Sequence, residues 1–242
     1  MNVKEHYEKH LSGFYDWITG DIDKSSKEFR DFLIQNNIYP AGNKFALDLG
    51  AGNGIQSIAL HELGFEVTAI DFSEHLLNRL KSNPKGKEII TELADIRNVN
   101  AYKEVNPELA VCCGDTITHL EDKDQIRKFI EDTVKVLSPN GKLILSFRDY
   151  SNELKDIDRF IPVKSSDDRI LTCILEYGPE KVRVTDLLHE KTGNRWIQKI
   201  SSYYKVRISP DEITGNIESN GMKIIFNEPV NRMITVIAEK LQ

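Results

Sequence analysis

The segment from Asp48 to Gly54 has the residue types of a ligand-binding loop. It closes an apolar stretch and carries glycines at positions 50, 52 and 54, so no Cβ keeps a ligand away from the backbone. A second apolar stretch, Glu66–Ile70, is followed by Asp71, whose carboxylate can accept hydrogen bonds from both hydroxyls of a ribose. The loop and the acid together predict a site for a nucleoside-containing cofactor.

Two common nucleotide-binding patterns do not fit this loop. The dinucleotide fingerprint G-x-G-x-x-G, started at Gly50, requires glycine at position 55, where the chain has Ile55. The phosphate-binding pattern G-x-x-x-x-G-K-[ST] is absent from the sequence. A nicotinamide dinucleotide and a P-loop nucleotide are therefore disfavoured. A tight strand–helix connection without a ligand is the remaining alternative for the loop.

The segment Asp48–Gly54 resembles the first motif of the class I S-adenosylmethionine-dependent methyltransferases. Asp71 stands where that family has its ribose-binding acid, and Ala94-Asp95-Ile96 resembles the segment that holds the adenine. Val111–Asp115 resembles the end of the fourth strand, which faces the methyl group in the family. The resemblance implies S-adenosylmethionine as the cofactor.

The resemblance covers roughly residues 44–148 and resumes at about 210–240. In related small-molecule methyltransferases an N-terminal helix folds over the cofactor, which makes Tyr15 a predicted contact. For Asp95 and Phe72 the alternatives are a turn cap and a core side chain. The predicted cofactor-binding residues are Asp48, Gly50, Ala51, Gly52, Asn53, Asp71, Phe72, Asp95, Ile96, Cys113, Gly114 and Tyr15.

Catalytic and substrate residues are predicted from the loops that follow the fourth and fifth strands. His119 and Asp115 are candidates for acid–base work, because this loop faces the methyl group in the family. Arg148 and Tyr150 follow the fifth strand, where an arginine can hold a carboxylate or phosphate of a substrate. The alternatives are a backbone-bonded histidine, a turn-forming aspartate and an arginine ion-paired with neighbouring acids.

Strand and helix patterns alternate over most of the chain and predict an α/β fold. We expect a Rossmann-like, mostly parallel seven-stranded sheet with helices on both faces. The pattern changes after Tyr150, where three long strands form an inserted antiparallel β-meander. Those three strands are predicted at Ile170–Tyr177, Lys181–Glu190 and Trp196–Ile208.

The predicted domain organisation has three parts. Residues 1–40 form an N-terminal helical lid, and residues 41–150 and 209–242 form the methyltransferase core. Residues 151–208 form the inserted antiparallel β region, which either covers the substrate or makes a dimer contact, so a homodimer is one expectation.

Composition excludes several function classes. The net charge of -6 disfavours nucleic acid as a partner, and no apolar run approaches the ~20 residues that span a bilayer, so no membrane is expected. Three cysteines, two of them adjacent, form no disulfide framework and fit a cytoplasmic location. The sequence lacks metal-ligand spacing, so no metal is expected.

The predicted function is methyl transfer from S-adenosylmethionine to a small-molecule acceptor. The resemblance carries this prediction, and in-line transfer then depends mainly on proximity. The chain lacks the Asn/Asp-Pro-Pro-aromatic signature that methylases of amides and exocyclic base amines share after the fourth strand. Two alternatives remain open: a methyltransferase acting on protein or RNA, and a non-catalytic protein that binds S-adenosylmethionine.

Overall fold

The computed structural model describes residues 3–241; the first two residues of the expected lid and the last residue of the expected core lie outside them. The helices are α1 Val3–Lys9, α2 Tyr15–Thr19, α3 Ile22–Gln35, α4 Ile55–Glu62, α5 Glu74–Ser82, α6 Lys123–Val136 and α7 Pro210–Ser219. The strands are β1 Phe45–Leu49, β2 Glu66–Asp71, β3 Ile90–Leu93, β4 Leu109–Cys112, β5 Lys142–Phe147, β6 Phe160–Ser165, β7 Arg169–Tyr177, β8 Lys181–Thr192, β9 Arg195–Val206, β10 Met222–Val230 and β11 Met233–Lys240.

Seven strands form the central sheet in the order β10-β11-β5-β4-β1-β2-β3. The pairs among β1 to β5 are parallel, whereas β11 pairs antiparallel with both β5 and β10. The predicted α/β, Rossmann-like, mostly parallel sheet is confirmed. Because β1 pairs with β2 on one side and β4 on the other, the chain reverses its direction of winding there, which opens a crevice at the carboxyl ends of these strands.

Helices cover both faces of this sheet because successive side chains of a strand point to opposite faces. On β4, Ala110 and Cys112 pack into a core with Phe129 and Ile130 of α6. Leu109 and Val111, which alternate with them along the strand, pack into the other core, which contains residues of α3, α4 and α5. The near-continuous apolar β4 is therefore buried on both sides, as a central parallel strand must be.

The inserted β region forms a separate antiparallel sheet in the order β6-β7-β8-β9. The meander was predicted with three strands, and that number is wrong, because β6 adds a fourth at the edge. Pro162 cannot donate a ladder hydrogen bond, and the register shifts between Pro162 and Lys164, so this segment lacks a regular strand pattern.

Among residues 3–241, none of the helices has both the length and the apolar character that a membrane span requires.

Candidate functional site

The loop after β1 needs its glycines for two different reasons. Gly50, Gly52 and Gly54 have φ values of 86°, 56° and 94°, a region that side-chain-bearing residues rarely adopt. A Cβ on Gly50 or Gly54 would clash with a neighbouring side chain. At Gly52 the Cβ would instead lie 3.2 Å from the hydroxyl of Tyr15, in the cleft itself. Gly52 therefore keeps the loop backbone open to a ligand, and the other two glycines allow the loop to pack.

Asp71, at the end of β2, is hydrogen-bonded to this loop. Its Oδ2 accepts from Gly52 N at 2.8 Å and its Oδ1 accepts from Ser73 N at 2.8 Å. Burial raises the pKa of the carboxyl, and these N–H donors oppose that rise. A carboxylate offers about four acceptor positions, so roughly two remain for hydroxyls of a ligand.

Asp48 lies behind the loop and does not line the cleft. Its side chain is 1% exposed, and its Oδ2 accepts a hydrogen bond of 2.5 Å from the Ser57 hydroxyl on α4. Burial raises the pKa of Asp48 to about 7, against the opposing effect of the Ser57 hydrogen bond. Its predicted contact with a cofactor ammonium stays a prediction, and the geometry gives it a structural role in anchoring α4.

A cleft of about 710 Å³ opens at the carboxyl ends of β1, β2 and β4. Its lining includes every predicted cofactor residue except Asp48: Gly50, Ala51, Gly52, Asn53, Asp71, Phe72, Asp95, Ile96, Cys113, Gly114 and Tyr15. The cleft therefore brings together predicted residues from five separate segments of the chain.

At one end of the cleft Asp95 caps a turn, and its predicted contact with the adenine stays a prediction. Oδ1 of Asp95 accepts from Arg97 N at 2.9 Å, which caps the turn that follows, and the Arg97 guanidinium forms an ion pair with both oxygens. The hydrogen bonds from Arg97 hold the pKa of Asp95 below its usual value. Ile96 beside it supplies an apolar wall. A capped carboxylate next to an apolar side chain suits a flat heterocycle that carries an amino group.

Aromatic side chains of the N-terminal helices α1 and α2 cover part of the cleft. The Tyr7 ring of α1 meets Phe72 edge-on, with 5.5 Å between ring centroids, and lies 6.1 Å from Tyr15 of α2. Burial raises the pKa of Tyr15 to about 12, so its hydroxyl stays neutral. The N-terminal segment therefore contributes side chains to the cleft as well as to the core.

His119 lines the cleft at the end of a short turn, Thr116–His119. Its ring lies 5.7 Å from Tyr7 and 5.7 Å from Tyr203, centroid to centroid. Nε2 is buried and has no hydrogen-bond partner among the described residues. Burial, with the positive charge of Lys205, holds the pKa of His119 well below its usual value. The imidazole is therefore neutral and a weak base, which can accept a hydrogen bond.

The other predicted catalytic and substrate residues lie outside the cleft lining. Asp115 is 1% exposed, and its Oδ2 accepts from the Tyr150 hydroxyl at 2.8 Å. Arg148 donates its backbone N–H to Asp115 Oδ1 at 2.9 Å, and the residue is otherwise exposed to solvent. Direct substrate contacts by Asp115, Arg148 and Tyr150 stay predictions that this geometry does not favour, because two of these side chains bond to each other.

Sequence reasoning missed Lys205, a cleft-lining residue of β9 whose ammonium pairs with Asp115. Lys205 belongs to the inward face of β9 together with Ser201 and Tyr203, all of them buried. The inward face is polar, so Ser201 to Lys205 show no apolar alternation that would mark it. Only the pairing of β9 with β8 reveals which side chains turn towards the cleft.

Comparison with known proteins gives a family for the central part of the chain. Residues 46–141 match the family model described as a methyltransferase domain. The glycine/sarcosine N-methyltransferase of Halorhodospira halochloris is 32% identical over 155 residues, which are 62% of this chain and 58% of that protein. The chain thus spans less than two thirds of the length of this relative.

Solved structures share the fold over nearly the whole chain. An S-adenosylmethionine-dependent methyltransferase from Clostridium acetobutylicum superposes with a TM-score of 0.74 at 17% identity, covering 98% of this chain and 99% of that one. CalS10, an amino pentose methyltransferase from Micromonospora echinaspora solved with S-adenosylmethionine, has a TM-score of 0.72 at 13% identity, with coverages of 91% and 92%. At these identities the likeness concerns the fold alone.

Asp48→Asn should change how stability depends on pH. The folded-state pKa of about 7 lies above the ordinary value of 3.8, so in the pH window between these two values the folded protein keeps a proton that the unfolded chain releases. Wild-type stability relative to Asp48→Asn should therefore fall by roughly 3–5 kcal/mol as the pH rises through this window. Urea unfolding at several pH values measures this, with the exposed Asp211→Asn as the control. Parallel curves for wild type and Asp48→Asn would contradict it.

Proposed function

We propose that this chain, whose residues 46–141 match a methyltransferase domain, is a class I enzyme that transfers a methyl group from S-adenosylmethionine to a small-molecule acceptor. One observation carries the proposal: Asp71 is hydrogen-bonded to Gly52, so a ribose-binding acid and an open glycine loop share one cleft. When bound, the cofactor supplies a methyl group already activated on a sulfonium. The protein must then orient the acceptor and exclude water.

The residues of the cleft fit this cofactor. Gly52 exposes loop backbone without a Cβ, and Asp71 retains acceptor positions for the ribose hydroxyls. Asp95 and Ile96 offer an acceptor and an apolar wall for the adenine, at the far end of the same cleft. Cys113 and Gly114, at the end of β4, leave space where the methyl group would face an acceptor.

An amine is the acceptor that we propose. The curated relative is named for glycine and sarcosine, and the structural neighbour for an amino pentose. His119 supports this, because a neutral imidazole in the cleft can accept a hydrogen bond from the N–H of a neutral amine, whose nitrogen has the lone pair that takes the methyl group. In this proposal Asp115 does not contact the acceptor and acts indirectly, through the loop that carries His119.

The N-terminal segment acts as a lid in this proposal, and the inserted sheet supports it. His6 of α1 is buried, with Nδ1 2.8 Å from the Ser201 hydroxyl and Nε2 3.1 Å from Asp186 Oδ2. These two contacts attach α1 to the inward face of the inserted sheet. Tyr7, next in sequence, then reaches His119 and Phe72 over the cleft. Substrate and cofactor would enter and leave by release of α1 from the sheet.

The partners and location in this proposal follow from charge and cysteines. A net charge of -6 supports a small-molecule acceptor over nucleic acid. Cys112, Cys113 and Cys173 are free thiols in the structure, which supports a reducing, cytoplasmic location.

The outward face of the inserted sheet carries several exposed apolar side chains among polar ones, which supports a homodimer in which a second copy covers it. Register places its exposed apolar side chains on one face: Phe160, Ile170, Trp196, Ile200 and Tyr204. Two copies related by a twofold axis would bury this face against itself.

Ile200→Glu should weaken that dimer, because it places a charge in the apolar face where Ile200 is 62% exposed. Sedimentation of the wild type at micromolar concentration should give a dimer, and Ile200→Glu a monomer. The matched control is Ile225→Glu on β10, 42% exposed and outside this face, which should leave the dimer intact. A monomeric wild type would contradict the proposal.

Asp71→Ala should weaken binding of S-adenosylhomocysteine by ~1–3 kcal/mol, or roughly 5- to 150-fold, since it removes the acceptor for the ribose hydroxyls. Asp71→Asn keeps one acceptor oxygen and should lose less. Calorimetric titration measures both, with Glu74→Ala, an exposed acid of α5, as the control at wild-type affinity. Equal affinity of Asp71→Ala and wild type would remove Asp71 from the site.

Methyl transfer from cofactor labelled in the methyl group should appear in the small-molecule fraction of a cell extract, and amines such as glycine and sarcosine are the first pure acceptors to test. The cleft is closed by Tyr7 and Tyr15, so an extended macromolecule has little access. Label in the protein or RNA fraction would favour a macromolecular substrate. Tight cofactor binding without label in any fraction would favour a non-catalytic binding protein.

A further inference from the structure

A buried ion pair connects the inserted sheet to the loop that follows β4. The ammonium of Lys205 on β9 donates a hydrogen bond to Asp115 Oδ2, and the two side chains are only 8% and 2% exposed. Taking two charges out of water is costly, and apolar side chains of similar size often stabilise a protein as well or better. An ion pair at this position therefore points to a role other than stability.

Asp115 uses both of its oxygens to hold neighbouring segments. Oδ2 also accepts from the Tyr150 hydroxyl, and Oδ1 accepts from Arg148 N at 2.9 Å and from the Thr118 hydroxyl at 3.0 Å. Burial would raise the pKa of this carboxyl, but Lys205 and the Arg148 N–H outweigh burial and lower it. Asp115 is therefore an ionised centre that joins the segment after β5, strand β9 and its own loop.

The turn that carries His119 starts at this centre. Asp115 has a φ of 71°, a left-handed conformation that is unfavourable for most residues, and the turn Thr116–His119 follows it directly. Thr118, within the turn, donates its hydroxyl to the Asp115 backbone carbonyl at 2.8 Å. Tyr203, two residues before Lys205 on β9, packs against the His119 ring. The position of His119 thus depends on the inserted sheet at two points.

His119 itself presents an unsatisfied atom. Its Nε2 is buried without a partner in the part of the chain that the structure describes, and such atoms are rare because they cost free energy. Lys205 contributes to keeping the pKa of the ring low, after burial. The titratable groups that face the ring are His6 and Tyr7 from α1, Tyr203 and Lys205 from β9, and Asp115 from its own loop.

We propose that Lys205 is a positioning residue for methyl transfer: through its ion pair with Asp115 it holds the turn Thr116–His119 so that His119 Nε2 pairs with the hydrogen-bonding group of the acceptor. This inference rests on the proposed function. It assigns the inserted sheet a part in the chemistry as well as in covering the cleft, since Lys205 comes from that sheet and Asp115 from the loop after β4.

The first test is kinetic. Lys205→Met combined with Asp115→Asn removes both charges of the ion pair, so no unpaired charge stays buried. The Tyr150 hydroxyl keeps a hydrogen-bond acceptor at residue 115. We expect the affinity for S-adenosylhomocysteine to stay within twofold and kcat/KM for the acceptor, glycine or sarcosine, to fall at least tenfold. Lys205→Arg keeps the charge and should recover most activity. The control is Lys199→Met, an exposed lysine on the same strand, with unchanged activity.

The second test needs no acceptor. NMR of the histidine-labelled protein follows the His119 ring, assigned by its loss in His119→Asn. Lys205→Met should raise the pKa of His119 by removing a nearby cation, and the double variant should weaken the cross-peaks between the His119 and Tyr203 rings, whose centroids lie 5.7 Å apart. Failure of cofactor binding in the wild type would defeat the proposed function and leave these ring measurements valid.

Three results would overturn the inference. One is a double variant with wild-type kcat/KM and an unchanged His119–Tyr203 contact. Another is a loss of activity that merely follows a loss of folded protein or of cofactor affinity, which a structural role alone would produce. The third is an unaltered His119 titration in a folded Lys205→Met.

Discussion

The hydrogen bond from Gly52 N to Asp71 Oδ2 is the interaction on which the cleft depends. It ties the loop after β1 to the end of β2, so that backbone free of a Cβ and a buried carboxylate face the same space. Parallel pairing of β1 with β2 and β4 brings these ends together, because parallel strands place their carboxyl ends at one edge. The remaining elements either shape this edge or cover it.

The cover is built from segments that are distant in sequence. α1 reaches the inserted sheet through His6, and the inserted sheet reaches the loop after β4 through Lys205 and Asp115. Polar groups make these contacts at buried positions, where each must find its partner to avoid a desolvation cost. Directional bonds of this kind fix one arrangement of the N-terminal helices, the inserted sheet and the central sheet, which a purely apolar interface would define less sharply.

How far the sequence predicts this structure depends on how local each signal is. The central sheet and most of the predicted residues that line the cleft were predictable, because Gly52 and Asp71 lie in short motifs at the ends of apolar strands. Lys205 was not, because its partner Asp115 is 90 residues away in sequence and the inward face of β9 is polar. Strand β6 was missed since Pro162 interrupts its pattern. Asp48 matches the motif, yet its carboxyl turns to Ser57, which no pattern of residue types reveals.

Calorimetric titration of the wild-type protein with S-adenosylmethionine, S-adenosylhomocysteine and NAD tests the central claim most directly. The open glycine loop and the Asp71 carboxylate predict micromolar or tighter binding of the first two and none of NAD, since Ile55 replaces the third glycine of a dinucleotide site. Binding of NAD, or of none of the three, would contradict the account and reduce the glycine loop to a connection between β1 and α4.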